Sequence, residues 1–148
     1  MRELSTQAKG KIGETFVMLE LEKRGWMIFT PHFEEKIDMI AVREVDGIFE
    51  HAYLQVKTST LTKANNYSFT LYKKSFVRAP DFYFILCCVE NLENGIAFFY
   101  VVPSMEITQV MKREFQSKSW KEKNNYTFKL PGKKWMPYKN QFELLGNF

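Results

Sequence analysis

Asp46-Gly47 divides a β-rich stretch into two runs, residues 37–45 leading into it and residues 48–58 leading out. Asp-Gly between two such runs is a strong signal for a two-residue hairpin, because both central positions need a positive φ that Asp and Gly accept. A tight turn fixes register. Residues equidistant from its centre face one another, which sets Asp38 opposite Gln55 with Cβ atoms about 4.5–5.5 Å apart. Lys57 lies two residues beyond Gln55 and projects from the same face. A carboxylate, a carboxamide oxygen and an ammonium thus converge beside an apolar sheet. That is a constellation for holding a metal ion and activating water.

The 148 residues make one domain by size, with 45% hydrophobic and 26% charged residues, a globular balance. No apolar run reaches the roughly 18 residues of a membrane span, and the N-terminal residues lack the apolar core of a signal peptide. The expectation is a cytoplasmic protein with no membrane partner. Cys87 and Cys88 adjoin within an apolar run, so they point to opposite sheet faces and read as small buried hydrophobes. With only His32 and His51 besides, a structural zinc site lacks ligands.

Charge is unevenly spread. Residues 112–139 hold nine basic and two acidic residues, a net of +7, while the remainder holds twelve basic and fifteen acidic, a net of −3. Trp120, Tyr126, Phe128, Trp135 and Tyr138 interleave with those cations. The pattern suits contact with a phosphate backbone, or alternatively a solvated basic surface over an aromatic core.

Residues 5–24 read as a helix capped by Ser5 or Thr6 and stopped by Gly25. Its stripe is Ile12, Phe16, Leu19 and Lys23, widened by Val17, Met18 and Leu21. Gly10 and Gly13 each cost about 1 kcal/mol there relative to Ala, which points to close packing or close approach of a ligand backbone. Strands follow at residues 26–30, 37–43, 48–58 and 67–72. Residues 82–89 and 96–102 are continuous apolar runs, expected as strands buried on both faces. A helix starts at Pro103-Ser104, with Ser104 as N-cap and Ile107, Val110 and Met111 inward; the remainder reads as irregular, with a turn at Pro131-Gly132. This order gives a single α/β domain with a mixed central sheet flanked by helices, a core over about residues 5–113 and a basic, aromatic-rich extension over about 114–148.

Glu14 joins the hairpin groups from the first helix. With Lys9-Gly10-Lys11-Ile12-Gly13-Glu14, then Ile37-Asp38-Met39-Ile40-Ala41, then Leu54-Gln55-Val56-Lys57 in that order, the chain resembles the PD-(D/E)xK nuclease superfamily. That superfamily includes restriction enzymes, junction resolvases and a group I intron homing endonuclease. The resemblance covers roughly residues 5–103 and implies a restriction-endonuclease-like core. It departs from the family pattern at Ile37, which replaces a non-ligating proline, and at Gln55, which replaces the second acidic residue and brings an oxygen without a charge. The literal strings Pro80-Asp81 and Glu34-Glu35-Lys36 fall in the wrong order and context to serve as the motif.

The resemblance implies phosphodiester hydrolysis with Mg²⁺, or Mn²⁺ in its place. Asp38, Gln55 and the Val56 carbonyl would hold the ion, with Glu14 reaching it through water or orienting a second ion. Lys57 would position or help deprotonate the attacking water. Lys9, Lys11, Thr58, Ser59, Lys73 and Lys74 are candidates for contact with DNA. Cutting both strands needs two sites, so a homodimer or homotetramer is expected. The competing readings are an Asp38–Lys57 salt bridge without chemistry, and a catalytically inactive DNA-binding protein on the same scaffold.

Overall fold

A computed structural model describes residues 2–32, 36–116 and 124–146, apart from the side chains of residues 114 and 115. Helix α1 (Thr6–Lys23) starts where the Ser5 side chain accepts a hydrogen bond from the Ala8 amide, 3.2 Å, and ends before Gly25 at φ +85°. The chain then forms β1 (Met27–Phe29), β2 (Met39–Val45), β3 (Ile48–Thr60), β4 (Tyr67–Tyr72), β5 (Phe82–Asn91) and β6 (Ile96–Pro103). Helices α2 (Ser104–Val110) and α3 (Lys112–Gln116) and strand β7 (Asn125–Leu130) complete the regular elements, with short 3₁₀ turns at Lys73–Ser75, Lys133–Tyr138 and Phe142–Leu144.

The central sheet runs β1-β2-β3-β5-β6, with β3 and β5 parallel and the other pairs antiparallel. The hairpin has the register its turn dictates: Val45 pairs Ile48 and Met39 pairs Leu54, with Asp46 at φ 52° and Gly47 at φ 79°. The β5 run is buried from Phe82 to Val89 because it is central and covered on both faces. Cys87 and Cys88 are both buried and divide between the two cores.

On one face, Val17 and Leu21 of α1 pack over Ala41, Ala52, Leu54 and Val56. The other face of β5 and β6 lies under Phe69, Phe128, Leu130 and Trp135, with Ile107 and Met111 of the α2 end sealing it.

Four expectations change. The buried side of α1 is Gly13, Val17 and Leu21, whereas Leu19 is exposed; helical spacing permits either stripe, and the close approach at Gly13 selects one. Strand β4 leaves the central sheet and pairs with β7 as a separate two-stranded sheet. The C-terminal stretch supplies that β7 strand, and Phe142 and Leu145 enter the α1-side core. Ser104 is not the N-cap of α2; Pro103 is, while the buried Ser104 hydroxyl donates to Ala79 O at 2.7 Å and accepts from Ala79 N at 3.0 Å. No helix among the described residues is long and apolar enough to cross a membrane.

Candidate active site

The hairpin strands part at Asp38. Its amide donates to Leu54 O at 2.8 Å, the last rung of the β2–β3 ladder, while β3 runs on beside β5 to Thr60. The freed Val56 amide donates to Asp38 Oδ2 at 2.7 Å, so the carboxylate closes the gap that the departing strand leaves. Asp38 is half-buried, and its pKa is raised: burial dominates, the Val56 amide opposes it, the Glu14 charge adds to it, and Lys57 and Lys11 oppose it. The pKa of Lys57 is lowered, mainly by burial and against the pull of Asp38. The carboxylate and the ammonium therefore lie within electrostatic reach of each other, yet no ion pair joins them among the described residues.

Glu14 arrives because α1 packs tightly on β3. A Cβ at Gly13 would overlap the Thr58 side chain, coming within 2.7 Å of its Cβ, so only glycine lets the helix sit this low. The next residue, Glu14, shares a hollow of about 150 Å³ with Asp38, Lys11, Thr15 and Thr30. Lys11 Nζ stands 3.3 Å from Glu14 Oε2. On the other side of the Asp38–Val56 hydrogen bond, Lys9, Gly10, Val56, Lys57, Thr58 and Thr60 line an open groove of about 410 Å³.

Gln55, one residue past the last β2–β3 pair and beside Phe84 of β5, is only 4% exposed, and its Oε1 is buried without a hydrogen-bond partner. The Gln55 carboxamide oxygen, orphaned and buried, and the carboxylates of Asp38 and Glu14, which share one hollow, offer oxygen donors only. That set fits a hard divalent cation such as Mg²⁺. Among the described residues, no group of three or more His, Cys, Asp and Glu side chains gathers, so Gln55 Oε1 and the Val56 carbonyl are the oxygens that would have to supplement Asp38 and Glu14.

The remaining candidates are spread around this centre. Thr58 Oγ1 is buried against Gly13 without a hydrogen-bond partner. The Ser59 hydroxyl is engaged within the fold, donating to Thr60 O at 3.2 Å and accepting from Ser68 N at 3.0 Å. Lys9 stands 4.0 Å from Glu3. Lys57 Nζ lies 5.4 Å from the centre of the Tyr72 ring, and Lys73 and Lys74 follow that tyrosine, both exposed.

In the basic C-terminal stretch, Phe128 and Trp135 stack on each other 4.6 Å apart inside the core, with Lys129, Lys133 and Lys134 outside. Those two aromatics are core, not a stacking surface for bases. Trp120, Lys118, Lys121 and Lys123 lie outside the described residues, as do Glu34 and Glu35. Sequence reasoning also missed the pairing of His51 Nε2 with Asp81 Oδ2 at 2.9 Å. No local signal marks it, because it depends on β3 and β5 being parallel neighbours.

The result is an α/β fold: a mixed five-stranded sheet with one long helix on one face and an opening where β2 departs from β3. The same fold is found in a solved structure, the bacterial homing endonuclease I-Ssp6803I, at a TM-score of 0.56 and 18% sequence identity, across 95% of this chain and 93% of that one. No protein-family model matches the sequence, and no curated protein does.

Proposed function

We propose that this protein is a metal-dependent DNA endonuclease of the PD-(D/E)xK type, with glutamine at the second acidic position, hydrolysing phosphodiester bonds in duplex or branched DNA. The observation that carries this reading is the convergence at one strand opening, where Asp38 is held by the Val56 amide with Glu14, Lys11 and Lys57 within electrostatic reach; the unpartnered buried oxygen on Gln55, next to Val56 in the chain, supports it. The fold shared with a bacterial homing endonuclease supports it.

Asp38, Gln55 Oε1, the Val56 carbonyl and Glu14 are the groups that would hold Mg²⁺ or Mn²⁺. When bound, the ion would supply Lewis-acid stabilisation of charge on the phosphate and lower the pKa of water. The chain's own groups do the rest. Lys57, with its depressed pKa, gives up a proton more readily than an ordinary lysine; its Nζ orients the attacking water and offsets charge developing on phosphorus. The Val56 amide fixes the Asp38 carboxylate in one orientation. Lys11 holds Glu14 on the helix face, and Lys9, Lys73 and Lys74 supply phosphate contacts around the site.

Because a chain has one such site, scission of both strands calls for a homodimer or homotetramer. Exposed Met27, Phe29 and Phe49, on the sheet face away from α1, support self-association.

The test is nicking of supercoiled plasmid with Mg²⁺ or Mn²⁺ by wild type, Asp38→Ala and Lys57→Ala. Metal-dependent nicking lost in both variants is the expected result, and nicking that survives both removes the site assignment. The uncharged Gln55 favours one alternative, a DNA-binding protein without catalysis. Tight, salt-dependent duplex binding with no cutting in either metal would select it.

A further inference from the structure

The two glycines of α1 have different surroundings. Gly13 is buried and its missing side chain is what lets Thr58 approach. Gly10 stands three residues earlier, and a Cβ there would have no heavy atom within 4 Å. Glycine is the poorest residue for a helix interior apart from proline, and at Gly10 neither packing nor a positive φ accounts for it. What Gly10 does face is the groove whose other walls are Lys9, Lys57, Thr58, Thr60 and Thr62. Cations and hydroxyls line it and no carboxylate does, which is chemistry matched to phosphodiesters. A residue without a side chain on such a wall leaves the helix backbone itself open to close approach.

We propose that the groove between the first turns of α1 and the C-terminal end of β3 is the track along which the sugar–phosphate backbone reaches the Asp38 site, and that Gly10 is a positioning residue that keeps this track open. The inference rests on the nucleic-acid reading above and adds a signature that a structural role lacks. Any side chain at position 10 favours the helix and at the same time fills the track, so stability and binding must move in opposite directions.

The experiment compares wild type, Gly10→Ala, Gly10→Gln and Lys9→Ala by thermal melting and by affinity for a mixed-sequence DNA duplex over a range of salt, without divalent metal. Both Gly10 variants are expected to melt roughly 2–4 °C higher. Duplex affinity should fall about threefold for Ala and about tenfold or more for Gln. The slope of affinity against salt should match wild type for both, since no cation is removed, whereas Lys9→Ala should lower it by about one. A Gln variant that binds as wild type does overturns the proposal, and so does one that melts lower, because Gly10 would then be a packing residue. A wild type without salt-dependent affinity for duplex refutes the nucleic-acid reading itself, and the Gly10 assignment falls with it.

Discussion

Gly13→Ala isolates the contact on which the placement of Glu14 depends. The added methyl would lie 2.7 Å from both Thr58 Cβ and Cγ2, whereas relaxed carbon–carbon contact needs about 3.5–4.0 Å. Rotating Thr58 about χ1 moves Cγ2 and Oγ1 but leaves Cβ in place, so the helix or the strand must retreat by about 1 Å. Overpacking of this kind costs about 1–3 kcal/mol, and the gain in helix propensity returns about 1 kcal/mol. The net expectation is destabilisation of up to about 2 kcal/mol, against a gain of about 1 kcal/mol for the same substitution at Gly10. Equilibrium denaturation by urea gives both numbers, provided the slope with denaturant is unchanged. Pairing Gly13→Ala with Thr58→Gly in a double-mutant cycle should recover about 1–2 kcal/mol of coupling. Cleavage should fall with Gly13→Ala and return in part in the double variant, because Glu14 follows the helix. If Gly13→Ala is as stable as wild type and shows no coupling to Thr58, α1 is not docked on β3 through this contact and the account of the site is wrong.

The charged forms of Asp38 and Lys57 both cost stability at neutral pH, since one pKa is raised and the other lowered. A raised carboxyl pKa favours the fold while the group is protonated, and that contribution is lost as pH rises through the folded-state pKa. Asp38→Asn should therefore be more stable than wild type at pH 7 yet inactive in plasmid nicking, with the stability gap closing as pH falls through the raised folded-state pKa and gone below 3.8. For Lys57→Met the sign is reversed: the gain present at neutral pH should shrink as pH rises through the lowered folded-state pKa and be gone above 10.5, which pH-dependent melting will read. Gln55→Glu places a carboxylate at a nearly fully buried position; the metal-free protein should melt lower, and half-maximal nicking should need about 3–10-fold less Mg²⁺. Phe49→Glu combined with Met27→Glu should shift the sedimentation coefficient toward the monomer and turn plasmid products from linear to nicked. Unchanged sedimentation in that variant would exclude the exposed sheet face as the interface.

Some of this protein is written in short stretches of its sequence. The Asp46-Gly47 turn sets the register of β2 on β3 from Val45–Ile48 to Met39–Leu54, because a side-chain period of two allows no half-slips, and so brings Asp38 to the end of the ladder beside residues 54–56. The ends of α1 follow from the Ser5 cap and the left-handed Gly25, both local backbone effects. The double-sided burial of β5 follows from an unbroken apolar run. Other decisions are made only when distant segments meet. Spacing pointed to a stripe centred on Ile12, Phe16, Leu19 and Lys23, and the close approach of position 13 to Thr58 turned the helix onto Gly13, Val17 and Leu21 instead. Strand β4 looks like any alternating strand until β7, more than fifty residues later, pairs with it, and the interleaved aromatics of the C-terminal stretch look like a binding surface until Phe128 and Trp135 close a core. The proximity of Glu14 to the hairpin, the hydrogen bond that orients Asp38 and the pairing of His51 with Asp81 are likewise products of packing. Turn chemistry and periodicity act over a few residues, while the approach of a helix to a sheet is set by the shape of everything between them.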